Sequence, residues 1–502
     1  MKQFNSEATE TPFDMPETPE GWEIVLFGRI AQIIGGGTPK TSDNGNFSER
    51  GYPWITPADL SGFNEMYISW GRRSLSEQGL KTSSAVLLPE GTVLMSSRAP
   101  IGYLAIAANE LCTNQGFKSF ICPPGVLPEY VFFWLKFITP FLEDMGSGST
   151  FLEISGSRAR KIPILLAPTS EQKRIIPKVK ELLARVNTAK ERLNKVPKIL
   201  KRFRQAILAA ACSARLTADW REQQTILESA SVLLKRLQQQ HLRMDNDVFS
   251  ENDLPEIPEN WVWAKVGQLG NVITGSTPSK REASYFGGSI PFFKPTDLDA
   301  SYNVEKSIDS LTKEGAEIAR ILPPLAVMVT CIGATIGKTG LARFAGASNQ
   351  QINSVVTNYE FVSPYWLFWT FTSPWVQEQI KLHASETTLP ILNKGRFEKL
   401  FLPFPPLNEQ REIVRRVEAM FKLADAVKKR VAAAKVRSDK LTQAILAKAF
   451  RGELVPTEAE LASREARSYE PASELLARIK SERDSNGALQ KAPQVRGHKK
   501  KE

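Results

Sequence analysis

The stretch nearest to a chemical motif in this sequence is Gly333-Ala334-Thr335-Ile336-Gly337-Lys338-Thr339. A phosphate-cradling loop needs Gly, four residues, then Gly-Lys-Ser/Thr, so that successive amides and one ammonium wrap the phosphates. Here the first Gly position is Ile332, and the stretch falls one residue short. The equivalent stretch earlier in the chain, Ala99-Pro100-Ile101-Gly102-Tyr103, has no Lys-Thr. ATP binding is therefore not expected of this chain. An amino-methyltransferase needs an Asn/Asp-Pro-Pro-Tyr/Phe turn for its target amine, but Pro405-Pro406 lies between Phe404 and Leu407. Gly35-Gly36-Gly37 runs into Thr38-Pro39 and does not open a dinucleotide-binding helix. Asp297 with Glu305 and Lys306 has the types of a nuclease cluster. The matching Asp59 lacks such followers, so both aspartates are expected to cap turns. His241, His383 and His498 are too scattered for a nucleophile–base set. Cys112, Cys122, Cys212 and Cys331 have no zinc-ligand spacing and read as reduced, buried thiols. The expectation is a protein that binds and does not catalyse, with no metal and no cofactor of its own.

What it binds is hinted at by charge. Lys plus Arg is 65 against 54 Asp plus Glu, a formal +11 with a pI near 9.3. Such a surplus suits a polyanion, because each neutralised phosphate releases counterions. The 42% hydrophobic content over 502 residues supports more than one packed core. Residues 1–18 are polar and acidic, and no segment reaches the roughly 20 apolar residues of a membrane span. A soluble, cytoplasmic protein is expected.

The elements that must position any binding residues are revealed by a repeat. Pro19-Glu20-Gly21-Trp22 returns as Pro258-Glu259-Asn260-Trp261, and Thr38-Pro39 as Thr277-Pro278. Pro57-Ala58-Asp59-Leu60 returns as Pro295-Thr296-Asp297-Leu298. Asn114-Gln115 matches Asn349-Gln350, and Glu171-Gln172 matches Glu409-Gln410. Gln205-Ala206-Ile207-Leu208 matches Gln443-Ala444-Ile445-Leu446. One unit of about 240 residues is written twice, far beyond a solenoid period. The expected divisions are a tail at 1–18, a globular part at 19–168, a helix at 169–214, a linker at 215–257, a second globular part at 258–406, a second helix at 407–452 and a tail at 453–502. Short apolar runs such as Gly91 to Ser96 and Ala326 to Cys331, punctuated by Gly and Pro, read as strands. Tyr130 to Phe137 and Tyr365 to Phe371 read as buried helices. The fold class is α/β (mixed α+β), in two tandem copies.

Each copy ends in a sustained apolar seam with steps of three and four. In the first it runs through Val179, Leu182, Val186, Ala189, Leu193, Val196, Leu200, Phe203 and Ile207. In the second it runs through Val417, Met420, Ala424, Val427, Val431, Ala434, Ser438, Leu441 and Ile445. This is the a/d pattern of a coiled coil. Antiparallel pairing of the two helices gives a pseudo-twofold rod roughly 60 Å long. Parallel pairing, or each helix folding back on its own domain, are the alternatives. Ser170 and Asn408 are the expected N-caps. Pro177 and Pro197 should kink the first helix, since each removes a backbone donor.

The ordered series resembles a known family. Pro-Glu-x-Trp opens each copy; Gly/Ser-Thr-Pro, Pro-x-Asp-Leu and Asn-Gln follow; Pro406-Leu407-Asn408-Glu409-Gln410-Arg411 leads into a long helix; and Gln443 to Leu454 closes the second copy. This is similar to the specificity subunit of type I restriction-modification systems, over about residues 19–480. The resemblance implies two target recognition domains, each reading half of a split double-stranded DNA sequence. It implies helices that set the gap and dock two modification (methyltransferase) subunits, to which restriction (endonuclease/translocase) subunits add. S-adenosylmethionine, ATP and Mg then belong to those partners. The chain departs from the pattern where Arg215-Leu216 stands in place of Gly-Glu-Leu. A non-catalytic coiled-coil scaffold is the alternative, and a self-contained DNA-modifying enzyme a weaker one.

DNA-contacting side chains should be basic or amide groups on loops. In the first copy the candidates are Thr38, Lys40, Arg72, Arg73, Arg98, Lys118, Arg158 and Arg160. In the second they are Thr277, Ser279, Lys280, Lys294, Lys338, Lys394 and Arg396. Residues that recur in both copies should hold shared turns; those that differ should read bases. On that criterion Arg98 and Lys294 stand out.

Overall fold

The computed structural model describes residues 15–98, 100–144, 153–224, 229–240, 254–385 and 389–489. Most of the tail at 1–18, part of the linker at 215–257 and the end of the tail at 453–502 lie outside them. The chain divides into two compact units: residues 1–192 with 434–502, and residues 193–433.

In the first unit a five-stranded sheet runs in the order Gln32–Gly35, Phe117–Ile121, Val93–Ser97, Ile101–Ala107, Tyr67–Ile68. A three-stranded sheet runs Arg73–Leu75, Phe47–Ile55, Cys112–Thr113. The second unit repeats the plan with two four-stranded sheets. One runs Asn271–Thr274, Ile352–Val356, Val327–Thr330, Thr339–Leu341; the other runs Asp309–Leu311, Phe286–Phe293, Gly346–Ser348, Ile321–Leu322. Both apolar runs read as strands are strands. Both aromatic runs lie in helices, Pro128–Asp144 and Pro364–Phe371, whose buried faces include Trp134 and Tyr130 in one unit and Trp366 and Phe368 in the other. Mixed sheets and helices in two copies are the expected class.

Two 44-residue helices, Thr169–Cys212 and Leu407–Phe450, pass from one unit into the other. In the first unit Lys190 pairs with Asp439 at 2.7 Å and Arg174 with Glu458 at 2.6 Å. One strand of contacts therefore descends as the other ascends. In the second unit Arg204 pairs with Asp425 at 2.6 Å, and Thr217 donates to Glu409 at 2.6 Å. The helices run antiparallel in each.

The first helix is continuous from Thr169 to Cys212 and contains both Pro177, two turns in, and Pro197, which is exposed. Two local expectations are corrected. The helices start one residue before the expected caps. The carbonyls of Pro168 and Pro406 accept from Gln172 and Gln410, so Ser170 and Asn408 are in the first turn. The seam is buried at Val179, Val186, Ile207, Val417, Ala424 and Ile445, and half-buried at Leu182, Leu193, Leu200, Met420, Val427 and Val431. Phe203 and Leu441, matching positions, remain 37% and 51% exposed. A straight helix of 3.6 residues per turn drifts off a 3.5-residue pattern. Leu208 and Leu446, one position beyond Ile207 and Ile445, are buried with them.

The ends of each unit close in the same way. After the first helix Ala214 adopts a left-handed φ of 60°, and after the second Gly452 adopts 71°. The helix stop is conserved in shape although Gly-Glu-Leu is absent from the first copy. The amide of Ala230 then donates to Asn260 at 3.0 Å, and that of Ala472 to Gly21 at 2.8 Å. The linker thus packs on the second globular part, and the C-terminal segment on the first.

Candidate nucleic-acid interface

The repeated anchors, scattered along the sequence, meet at one end of the sheet built on Phe47–Ile55 in the first unit and of the sheet built on Phe286–Phe293 in the second. Trp54, on the central strand Phe47–Ile55, donates its indole N–H to the Gly37 carbonyl at 3.0 Å. The Gly37 amide donates to Thr113 at 2.9 Å, and the Thr38 hydroxyl donates to Gln115. Asn114 donates its amide to Ile55 and accepts from Gly116 at 2.9 Å. A Cβ on Gly36 would lie 2.1 Å from the Asn114 carbonyl, so only glycine lets the two chains approach. In the second unit Gly275 has the same relation to Asn349, and Thr277 donates to Gln350.

The Pro-x-Asp-Leu aspartates join the same end. Asp59 accepts from the Thr56 amide at 2.8 Å, the Thr56 hydroxyl at 2.6 Å and the Arg72 amide at 3.0 Å. Asp297 accepts from the Lys294 amide at 2.7 Å and the Ile308 amide at 2.9 Å. Each is a turn cap, as expected, and each also pins a second loop that runs into the edge strand Arg73–Leu75 or Asp309–Leu311.

The model for the type I restriction modification DNA specificity domain matches residues 19–198 and again 258–434. The chain belongs to this specificity-subunit family. The type I restriction enzyme EcoDI specificity subunit of Escherichia coli is 30% identical over 93% of this chain and 97% of its own length. The MjaIX specificity subunit of Methanocaldococcus jannaschii is 31% identical over 61% of this chain and 65% of its own. In fold, the crystal structure of the HsdS subunit from Thermoanaerobacter tengcongensis superposes with a TM-score of 0.54 at 20% identity, covering 89% of this chain and 100% of that one. A chain from a structure on complex assembly and conformational transition of the type I R-M system reaches 0.59 at 18% identity, over 87% and 99%.

On this specificity subunit's surface the candidate residues fall into three settings. Thr38 and Thr277 belong to the anchor bonds above, with exposed Lys40, Ser279 and Lys280 on the loops that follow. Arg72 and Arg73 are exposed beside Asp59; the Arg73 guanidinium stacks on Phe47 at 3.6 Å. Arg158 and Arg160 lie on the short helix Gly156–Arg160, and Lys394 and Arg396 on its counterpart Lys394–Glu398, capped by Ser155 and Asn393. Lys394 pairs with Glu398 at 3.5 Å, and Arg396 donates to the His383 carbonyl at 3.3 Å.

Three lysines have side chains committed within the protein, and Arg98 is anchored there through its backbone. Lys118 is buried, donating to Ser97 at 3.3 Å and pairing with Glu153 at 3.5 Å. Arg98 is half-buried, bridged to Glu153 through the backbone. Lys294 pairs with Asp309, and Lys338 with Asp299 at 2.6 Å. In the phosphate-loop lookalike the amides of Ile336, Gly337 and Lys338 donate to the carbonyls of Gly333, Thr330 and Thr335, which leaves them turned inward. Among the described residues no group of three or more His, Cys, Asp or Glu could hold a metal, and no helix is long and apolar enough to cross a membrane.

Sequence reading passed over Trp70 and Ile308, exposed on the two pinned loops. The signal was available: the copies match through Pro-x-Asp-Leu and then diverge in both length and type.

Proposed function

We propose that this chain recognises a bipartite double-stranded DNA target, each globular part reading one half. The observation that carries the reading is one scaffold built twice, with the same internal bonds and different exposed side chains. Shared bonds serve a shared shape; different exposed residues serve different half-sites. The net charge of +11 supports a polyanionic partner. The antiparallel helices fix the unspecified gap and dock two modification subunits, to which restriction subunits add. The chain itself carries no catalysis, in the cytoplasm; S-adenosylmethionine, ATP and Mg act on the partners. Exposed apolar side chains on the long helices, Ile199 and Leu423 among them, support a docking role.

The test is selection of bound duplexes from a random pool by the full chain, alone and co-expressed with a modification subunit. Two short blocks at a fixed spacing are expected. One continuous block would mean that a single globular part reads DNA, and no enrichment in either format would favour a protein scaffold.

A further inference from the structure

Asp59 and Asp297 do the same work at matching positions. The Asp59 side chain keeps 5% of its surface and Asp297 is buried. Each carboxylate ties the start of its own turn to the amide of a residue on the next loop, Arg72 or Ile308. The chain between carboxylate and pinned amide differs in length between the copies, with the partner 13 residues on in one and 11 in the other. Loops of different length are thus moored at an equivalent point, one residue before an edge strand.

What the mooring presents differs completely. In the first unit it is Trp70 and Arg72, and in the second Lys306 and Ile308. Ile308 is 82% exposed and Trp70 54%. An isoleucine held in water on a loop whose root is pinned by a buried carboxylate gains nothing from folding. The hydrogen bond from its amide to Asp297 restricts its backbone, which lowers the ordering cost of binding there. The Arg72 guanidinium lies 3.8 Å from Asp59, which biases its direction without covering it.

We infer that these moored loops are base-reading elements, with Arg72 discriminating in one half-site and Ile308 in the other. This rests on the DNA-reading role proposed above. The chemistry of each side chain names its target. A guanidinium offers paired donors to the O6 and N7 acceptors of guanine, and a branched alkyl group packs on the C5 methyl of thymine. Both targets lie in the major groove, where an exposed loop beside an edge strand can enter. The residues that recur, Asp59 and Asp297, position; the residues that differ, Arg72 and Ile308, specify.

The experiment is the same random-duplex selection, run with the full chain and with Arg72→Ala, Arg72→Lys and Ile308→Ala. Each variant is melted alongside, and unchanged melting is expected because both side chains are exposed. Arg72→Ala should erase preference for guanine at one position of one block, by roughly ten- to hundred-fold, and leave the other block intact. Arg72→Lys should lose the same preference while keeping affinity for non-specific duplex, since an ammonium lacks the paired geometry. Ile308→Ala should relax a thymine position in the opposite block only. Unchanged motifs in these variants, or equal weakening of both blocks, would overturn the assignment while leaving DNA reading in place. Failure of the unsubstituted chain to select any motif would instead sink the DNA-reading role itself.

Discussion

The indole N–H of Trp22 donates to the carboxylate of Glu171 at 3.0 Å, and that of Trp261 donates to Glu409 at 2.8 Å. The Pro-Glu-x-Trp and Glu-Gln motifs, about 149 residues apart in each copy, are thus two halves of one buried bond. The neighbouring glutamines complete it. Gln172 accepts from the Leu127 amide and donates to Ala167, as Gln410 accepts from Ser363 and donates to Pro405. Each pair clamps the root of a long helix to its globular part.

The two clamps differ in charge, and their variants should behave differently. Glu409 accepts from Thr217 and pairs with Arg221, whose side chain is 14% exposed. Glu409→Gln leaves that guanidinium buried without its counter-charge, an expected cost of about 3 kcal/mol. Glu171 has Arg174 nearby, but that guanidinium is paired with Glu458 at 2.6 Å rather than held on Glu171. Glu171 faces the backbone amide of Glu458 at 2.9 Å, with the Glu458 carboxylate close enough to disfavour its charge. Glu171→Gln keeps the hydrogen-bonding shape and should cost less than about 1 kcal/mol. Denaturant unfolding of the two variants, followed unit by unit by hydrogen exchange, reads the difference; equal losses would contradict it.

The same site sets a pH dependence. Burial pushes the Glu171 carboxyl above its ordinary value of 4.5, against the Glu458 amide, the Trp22 indole and Arg174, which favour its charged form. A raised folded-state pKa contributes stability that is complete below the ordinary value and is lost as pH rises through the folded one. Glu458 runs the other way. Burial pushes it up, but Arg467 and Arg174 outweigh that and hold it below 4.5, so its contribution is lost as pH falls. Glu171→Gln should therefore differ from the unsubstituted chain most on the alkaline side of Glu171, where it removes the charge. A denaturant midpoint measured from pH 4 to 8 checks this, and a gap that widens toward acid would refute it.

The fold was largely legible because a repeat supplies its own control. Matching Pro19 to Trp22 with Pro258 to Trp261 located both domains, and the strands and buried helices followed from apolar runs. The helix pairing was also readable, since an apolar seam needs a partner. What escaped depended on three-dimensional neighbours. Lys294 is unmatched in the other copy, yet Asp309 lies 15 residues on and folds back against it. Lys118 alternates with apolar residues on a strand, and only the structure shows it buried against Ser97 and Glu153. Ile308 has no basic or amide group, so a search for polar donors passed it by, although apolar contact also reads bases.

The mooring aspartates should be separable from the residues they present. Asp297→Ala removes acceptors for two backbone amides, of Lys294 and Ile308, at an expected cost of about 1–3 kcal/mol. The loop then samples many conformations, and the second block of the selected motif should blur over several positions rather than one. Asp59→Ala should do the same to the first block. A variant that retains a sharp block despite the lost bonds would show that the loop is ordered by something else.

The long helices offer a test of assembly that is independent of DNA. Ile199 and Phe203 lie one turn apart on Thr169–Cys212, on the same face, 59% and 37% exposed. Ile199, the more exposed of the two, contributes little to the chain's own core, so Ile199→Asp should alter unfolding by no more than about 1 kcal/mol. At an interface, a desolvated carboxylate facing apolar surface costs far more. The Ile199→Asp variant is therefore expected to lose co-purification with the modification subunit while melting as the unsubstituted chain does. Retained co-purification at full stoichiometry would move the docking surface away from this face, toward Val436 and Leu441 on the other long helix.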